Sequence, residues 1–190
     1  LELMKKSTAL VLLLFVTTFT FAQKRQKIKG TKIVTTSIKE VGSFDAIEVD
    51  DNLEVYLEQG EKNEIKIEAD DNLHDIIGID LREKTLRLYT NKESTIFKKL
   101  SVKVTYTKSL NKVITKNEAV VYAIQELQLD DITMNCLDFS KLYLNVNAKK
   151  FNLIADDKTR TELNLKAEDA NLQLSKNAVV KTLVSAVKFK

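Results

Sequence analysis

Short apolar segments recur along the second half of the chain, between residues 113 and 187, with a period of about 20 residues. Two sets of positions show this period, the second set displaced from the first by nine positions: Ile114, Met134, Ile154 and Leu174, then Ala123, Tyr143, Leu163 and Leu183. Apolar and polar side chains alternate within each repeat, which is the pattern of a strand. A unit of this length buries its apolar face only by stacking on its neighbours. The pattern therefore predicts an all-β, single-domain β-solenoid (β-helix-like) with coils of roughly 20 residues.

The first half shows the same alternation in shorter segments. Period-2 patterns predict strands over residues 44–49, 53–57, 65–67, 86–89 and 100–106. The tetrapeptide Asp50-Asp51-Asn52-Leu53 returns as Asp70-Asp71-Asn72-Leu73, which again indicates the same repeat length. Residues 73–79 are expected to form one helical turn or an irregular loop, and the polar residues 91–99 are expected to form a loop.

Polar pairs separate the strands of the second half and are expected to form its corners: Lys116-Asn117, Asp130-Asp131, Asp156-Asp157 and Lys176-Asn177. Asn and Asp tolerate left-handed backbone and hydrogen-bond to their own main chain, which suits a change of direction. No segment has a clear helical period, so an almost all-β protein is expected.

The N-terminus has the features of a secretory signal. The basic Met4-Lys5-Lys6 precedes an unbroken apolar run over residues 9–16, and Ala22 offers a small residue for cleavage before Gln23. The run is shorter than the roughly 18 residues that a membrane-spanning helix needs. We therefore divide the chain into a signal peptide with a short upstream extension (1–22), an N-terminal arm that can pair as a first strand (23–42) and the solenoid domain (43–190). Export to the periplasm, the outer-membrane surface or the extracellular space is expected.

Several segments of the first half resemble a family of exported bacterial proteins. They are Phe44-Asp45-Ala46-Ile47-Glu48-Val49, Glu58-Gln59-Gly60, residues 65–73 and Leu86-Arg87-Leu88. Together they resemble the putative auto-transporter adhesin, head GIN domain family, and the resemblance runs from about residue 43 to the C-terminus. It implies an exported β-solenoid-like protein of Bacteroidetes type with an adhesin role, and it carries over no catalytic residue. The family's corners are usually rich in Gly and Ser, whereas this chain has Lys, Asn and Asp there.

Composition excludes several other classes of protein. The formal net charge is only +3, and charges of both signs are interspersed, unlike the clustered basic surface of a nucleic-acid-binding protein. The single cysteine, Cys136, permits no intrachain disulfide and is expected to be buried as a small apolar residue. The sequence contains no Gly-rich phosphate loop, nucleotide-binding fingerprint or CxxC pair. No cofactor is therefore expected.

Side chains with catalytic or metal-binding chemistry are few. The candidates for hydrolytic catalysis in the repeats are the paired carboxylates Asp130, Asp131, Asp156 and Asp157, which otherwise read as solvated corners. The same pairs, with Asp50-Asp51 and Asp70-Asp71, carry oxygen ligands suited to calcium, but no EF-hand loop or Gly-rich nonapeptide repeat accompanies them. His74 is the only histidine, so a multi-histidine zinc site is excluded, and a solvated ring is expected. We assign no catalytic, cofactor-binding or metal residue.

The five tyrosines are the remaining candidates for recognition: Tyr56, Tyr89, Tyr106, Tyr122 and Tyr143. They could form a platform for carbohydrate stacking or pack against neighbouring side chains. The leading hypothesis is an exported, non-enzymatic cell-envelope protein, an adhesin or binding module whose partners are glycans, host matrix or envelope components. The alternatives are a periplasmic structural or self-assembly module and, less favoured, a carbohydrate-active enzyme. Self-assembly would use an open edge near Val187 and Phe189, which could equally act as a modest cap.

Overall fold

The computed structural model describes residues 25–123 and 125–190 and has an all-β fold, with 65% of these residues in strands and 4% in helix. The strands are β1 (Lys27–Lys29), β2 (Val34–Glu40), β3 (Ala46–Val49), β4 (Glu54–Gln59), β5 (Glu64–Asp70), β6 (Ile77–Arg82), β7 (Thr85–Thr90), β8 (Glu93–Thr95), β9 (Leu100–Tyr106), β10 (Lys112–Thr115), β11 (Val120–Ala123), β12 (Leu127–Cys136), β13 (Lys141–Ala155), β14 (Arg160–Leu174) and β15 (Val179–Phe189). A 3-10 helix, Asp71–Ile76, precedes β6. The strands predicted from alternation in the first half are confirmed as β3, β4, β5, β7 and β9.

One large sheet, curled into a half-barrel, contains all of these strands except β1 and β8, which pair with each other. Its order is β2-β5-β9-β4-β11-β13-β12-β10-β3-β7-β6, and β14 and then β15 continue outward from β13. Apolar side chains line the inside of the curl from Phe44 to Ala170 and form a single hydrophobic core. The two regions of the sheet that this core joins differ in strand direction.

The first region, up to β9, mixes antiparallel and parallel pairs. Strand β9 inserts between β4 and β5, running parallel to β4 and antiparallel to β5. Strand β2 pairs antiparallel with the other side of β5, so part of the N-terminal arm does form an early strand, as expected. The residues predicted to be a loop, 91–99, contain the short β8, because so short a strand carries too little alternation to be recognised.

The second region, β10 to β15, is entirely parallel, and the spacing between its paired residues is not constant. Lys112 pairs with Thr133, whereas Lys141 pairs with Arg160, which is a shorter step along the chain. The two predicted sets of equivalent positions are therefore wrong in detail, since Ile114 pairs with Asn135 and not with Met134. A shift of a single position moves a side chain to the other face of a sheet. Met134 is accordingly buried, whereas Ile154 is 39% exposed.

Left-handed backbone marks the corners of the second region. It occurs at Asn117 and Glu118, at Asp138 and Phe139, and at Asp157 and Lys158, with Lys176 at the corresponding position before β15. Three of the four predicted corners are thus confirmed. Asp130 and Asp131 instead lie within β12, and the corner that sequence analysis missed contains Phe139, which has no turn preference.

The predicted signal peptide lies outside the described residues. Among residues 25–123 and 125–190, no helix has the length and apolar character needed to cross a membrane.

Candidate functional site

A row of tyrosines crosses the outward face of the sheet. Tyr56, Tyr122 and Tyr143 occupy paired positions on β4, β11 and β13, so strand register alone places them side by side. Neighbouring ring centroids are 5.0 Å apart, and the ring planes differ by 13° and 11°. Glu162 and Lys181 continue the same row on β14 and β15. We call these five residues the tyrosine row.

The stacking decides which ring surface a ligand can reach. Each tyrosine covers a face of its neighbour, and the Lys99 ammonium lies 6.0 Å from the Tyr56 centroid. Tyr143 is the last ring of the stack, and Glu162 follows it. The ring face of Tyr143 on the side of Glu162 therefore stacks on no other tyrosine of the row.

An open groove of about 550 Å³ lies between the tyrosine row and a second row formed by Asn145, Asn164 and Leu183. The Asn164 Nδ2 donates a hydrogen bond of 2.7 Å to the Asn145 Oδ1. This bond leaves further amide donor and acceptor capacity directed at solvent. An aromatic face bordered by amide, carboxylate and ammonium groups is a typical lining for a polar, uncharged ligand with an apolar side.

The surroundings of Tyr56 and Tyr122 favour the neutral form of both phenols. Burial, together with the neighbouring Glu54 carboxylate, raises the pKa of both Tyr56 and Tyr122. The Tyr56 hydroxyl donates to Glu54, and the Glu162 carboxylate accepts a hydrogen bond from the Arg160 Nε at 3.1 Å. An ion pair with Arg160 thus holds the Glu162 carboxylate in place beside Tyr143.

The other two tyrosines do not contribute to this surface. Tyr106 is buried, and this burial raises its pKa to about 12. Tyr89 packs against Gly78, where its ring leaves no room for a Cβ atom, and has the Arg87 guanidinium 4.9 Å from its centroid. The structure therefore brings together three of the five predicted tyrosines and separates two.

The acidic pairs of the repeats lie apart, since Asp130 and Asp131 are within β12 and Asp156 and Asp157 lie between β13 and β14. Asp130 forms an ion pair of 2.8 Å with Lys149, and this contact lowers the pKa of the Asp130 carboxyl. Asp156 accepts a hydrogen bond of 2.6 Å from the Ser175 hydroxyl, which lowers its pKa as well. A glycosidase acid needs a raised pKa so that it holds a proton near neutral pH. Asp157 occupies a left-handed corner, as the sequence predicted.

The acidic pairs of the first half are structural anchors. Burial acts to raise the pKa of Asp50, but hydrogen bonds from Asn117 and Arg87 lower it overall. Burial likewise opposes ionisation of Asp70, yet main-chain N–H groups of Lys99, Lys32 and Lys98 lower its pKa. Within residues 25–123 and 125–190, no three His, Cys, Asp or Glu side chains converge to hold a metal ion.

The histidine and the cysteine also have structural partners. The His74 ring is half-buried, with Nε2 2.9 Å from the Thr35 hydroxyl and Nδ1 3.1 Å from the Ser37 hydroxyl, so it is not the solvated ring that we expected. It ties the 3-10 helix to β2. Cys136 is buried, as predicted, with its sulfur 3.3 Å from the Ser140 hydroxyl oxygen.

Sequence analysis missed most of the groove. Asn145, Glu162, Asn164 and Lys181 carry no motif and become neighbours only through the register of β13, β14 and β15. This register is one position shorter than the period that the apolar pattern suggested. A pattern search that allowed the shorter period would have aligned Tyr143 with Glu162 and Asn145 with Asn164.

Comparison with known structures shows a shared fold. A putative adhesin from Bacteroides fragilis NCTC 9343 matches with a TM-score of 0.56 and 17% identity, over 85% of this chain and 98% of that one. A putative adhesin from Parabacteroides merdae ATCC 43184 matches with a TM-score of 0.53 and 19% identity, over 86% and 97% of the two chains. No curated protein sequence matches this chain.

The family itself follows from the sequence. The model of the putative auto-transporter adhesin, head GIN domain family matches residues 43–183, which include the tyrosine row and both sides of the groove. The expected resemblance is thereby confirmed, and the chain belongs to the putative auto-transporter adhesin, head GIN domain family.

Proposed function

We propose that this protein is an exported, non-enzymatic cell-envelope protein of adhesin type that binds glycan in the groove beside the tyrosine row. The observation that carries the proposal is the groove lined by Tyr143, the last ring of the stack, and by the hydrogen-bonded amides of Asn145 and Asn164. An aromatic face packs against the apolar side of a sugar ring, while amides and carboxylates bond its hydroxyl groups. The groove is open along its length, which suits a chain of sugars rather than a small enclosed ligand.

The parallel rows support a finer description of the fold. We infer that residues 112–189, which include β10 to β15, form successive coils of a β-solenoid, each of about 20 residues, because paired positions recur at nearly this spacing from coil to coil. Stacked coils repeat the same outward positions at the strand spacing of about 4.8 Å. A glycan would then run along the stack, parallel to the two rows that border the groove.

A non-enzymatic role is supported by the state of the carboxylates. Asp130 and Asp156 are ionised and engaged by Lys149 and Ser175, so neither is a candidate proton donor. The competing hypothesis, a carbohydrate-active enzyme, requires release of reducing ends from a polysaccharide and its loss in Asp156→Asn or Asp157→Asn. Turnover that these substitutions abolish would contradict our proposal.

Export is supported by the N-terminal pattern of residues 1–22 and by membership of an adhesin family. Its test is the mass of the protein recovered from the envelope and the medium of an expressing bacterium. Cleavage before Gln23 would give a mature chain beginning at that residue. Recovery of uncleaved protein in the cytoplasm alone would contradict this part of the proposal.

The binding test is an array of glycans, matrix proteins and envelope components, probed with the purified protein with and without calcium. We expect a specific, saturable glycan signal that Tyr143→Ala reduces at least about tenfold, since the substitution removes the stacking surface. Tyr89→Ala is the matched control, because Tyr89 lies outside the groove and should leave the signal unchanged. The absence of any glycan signal, or equal loss in both variants, would contradict the assignment.

A periplasmic structural or self-assembly module is the second candidate, and one observation favours it. Strand β15 pairs with β14 on one side, and none of the described strands pairs with its other side. Size-exclusion chromatography with light scattering distinguishes this candidate. A protein that remains strictly monomeric at high concentration would exclude self-assembly through this edge.

A further inference from the structure

Strand β15 exposes both a main-chain edge and apolar side chains. Leu183, Val187 and Phe189 are 76%, 82% and 58% exposed, whereas Leu163 and Leu165 of the neighbouring β14, which pair with Thr182 and Val184, are buried. The Val179 N–H bonds the Thr159 carbonyl of the preceding corner, so by alternation the main-chain groups of Val180, Thr182 and Val184 face away from β14. A long edge in this state is a template for another strand.

Charge along the rows that end at β15 alternates in sign. Asp131, Lys150, Asp169 and Lys188 occupy one row on four successive strands. In the tyrosine row, Glu162 on β14 is followed by Lys181 on β15. Opposite charges at paired positions stabilise neighbouring strands, and like charges destabilise them. Both rows therefore end on a lysine, and a further strand would complement them best with two acidic residues.

The surroundings strengthen this preference. Residues 170–190 contain four lysines and no acidic residue. An incoming strand needs two carboxylates with the same spacing along the chain as Lys181 and Lys188. We propose that the free edge of β15 is a docking site for an extended, acidic strand of another protein, with carboxylates opposite Lys181 and Lys188.

A second copy of this chain is the poorer occupant. Symmetric pairing of β15 with itself would bring lysines near lysines without a single carboxylate on either strand. The strands at the other ends of the large sheet, β2 and β6, each carry one acidic residue, Glu40 and Asp80. Neither can satisfy both lysines.

A lipid surface is also a poorer occupant, because it offers no partner for the outward N–H and C=O groups of β15. Unpaired main-chain groups at a sheet edge are not tolerated in hydrocarbon. A strand from a protein satisfies these groups while its alternate side chains cover the apolar residues of β15.

The sharpest probe is a labelled peptide with the sequence of residues 160–170, which already pairs with β15 from the other side. In parallel register it would place the side chains equivalent to Glu162 and Asp169 opposite Lys181 and Lys188. Fluorescence anisotropy with the purified protein should show saturable binding. The same peptide with E162K and D169K should bind at least about tenfold more weakly, since two attractive pairs become repulsive.

Charge exchange in the protein makes the test specific. The variant K181E/K188E should bind the acidic peptide more weakly than the wild type does. It should bind the E162K/D169K peptide more tightly than the wild type does, by a similar factor. A second variant, Val184→Pro, removes an N–H from the free edge and not from the bonds to β14, so it should weaken peptide binding with an unchanged circular dichroism spectrum. Equal binding of both peptides by the wild type, or unimpaired binding by Val184→Pro, would overturn the proposal.

Further measurements distinguish the acidic strand from the other occupants of the β15 edge, and distinguish this edge from the proposed glycan site. Preferential binding to anionic lipid vesicles over the acidic peptide would overturn the proposal in favour of a lipid surface. Self-association that the peptide does not displace would overturn it in favour of a second copy of the chain. Lys188 does not line the groove, so Lys188→Glu should weaken binding of the acidic peptide and leave any glycan signal intact. Failure of one site is thus distinguishable from failure of the other.

Discussion

The region up to β9 and the region from β10 to β15 are held together differently. In the first, strands of both directions surround β9, and buried carboxylates bond groups from distant parts of the chain: Asp70 accepts N–H groups of Lys32, Lys98 and Lys99. In the second, parallel strands repeat the same contact at each step, as in the row from Asp131 to Lys188. The first region thus contains buried carboxylates, Asp50, Asp51 and Asp70, whereas the second displays charged side chains outward in rows.

This difference separates the supporting part of the molecule from the part that carries both proposed binding sites. Asp50 joins the two regions, since it accepts hydrogen bonds from Arg87 of β7 and from Asn117 at a corner of the second region. The groove and the free edge both lie on the second region. A regular stack of parallel strands repeats outward positions at a fixed spacing, and such repetition creates extended binding surfaces.

The largest contrast is expected from truncations of buried and exposed aliphatic side chains. Ile67 is fully buried between β2 and β9, so Ile67→Ala should lower the free energy of unfolding by about 2–4 kcal/mol. Leu183 is 76% exposed, and Leu183→Ala should change the free energy of unfolding by less than about 0.5 kcal/mol. Urea unfolding measures both, and equal losses would show that the two regions do not differ in packing.

The junction between the regions comes next. Asp50→Ala leaves Arg87 and Asn117 without their acceptor and should lower the free energy of unfolding by about 2 kcal/mol in urea. Asp130→Ala is the control, because Asp130 is an exposed residue whose ion pair with Lys149 lies on the surface. Asp130→Ala should therefore leave the free energy of unfolding without a measurable change. An equal effect of the two substitutions would contradict the role of Asp50.

Acid should weaken the first region through the same carboxylates. The pKa values of Asp50 and Asp70 are lowered from 3.8, so their contribution to stability is present above that value and is lost as pH falls through the lower, folded pKa values. Urea midpoints should therefore fall as the pH is reduced below about 4. The fall should be shallower in Asp70→Asn, which cannot gain the proton. An unchanged slope in that variant would argue against Asp70 as a source of acid sensitivity.

A smaller effect is expected for the middle ring of the tyrosine row. Tyr122→Leu keeps an apolar side chain but removes two stacked contacts, and should lower the free energy of unfolding by about 1 kcal/mol. Tyr89→Leu, which removes no stacked ring pair, provides the comparison in thermal unfolding. If Tyr122→Leu were neutral, the stack would serve recognition alone.

The smallest effect concerns the corners. Lys158 has a left-handed φ of 58°. Glycine adopts this conformation without the Cβ clash, so Lys158→Gly should raise the free energy of unfolding by about 0.5–1 kcal/mol. Lys150→Gly, within β13, should lower it by a similar amount. Destabilisation by both substitutions would indicate that the corners are not strained.

Alternation along the chain was sufficient to predict the all-β fold and most strands of the first half. It failed at Asp130-Asp131, where a pair of acidic residues lies inside a long strand because Lys149 and Lys150 of β13 balance the charge. It also failed at Phe139, whose left-handed φ of 66° is imposed by the stacking of neighbouring corners and not by its own preference. Local sequence contains neither kind of information.

The candidate site was less predictable than the fold. The tyrosines could be named, but an error of a single position in register places Tyr143 beside Leu163 instead of Glu162 and so reverses the face of every later position. The partners of the groove, Asn145 and Asn164, have ordinary side chains for exposed strand positions. Only the paired strands reveal them as neighbours.

Hydrogen–deuterium exchange of the purified protein tests most directly the claim that a stable first region supports an open second one. Slow exchange should be found in β5 and β9, whose central residues are paired on both sides, and exchange should quicken from β13 through β14 to β15. Within β15, Val180, Thr182 and Val184 should exchange fastest. Protection of β15 equal to that of β9 would contradict the account, because the free edge would then already be covered.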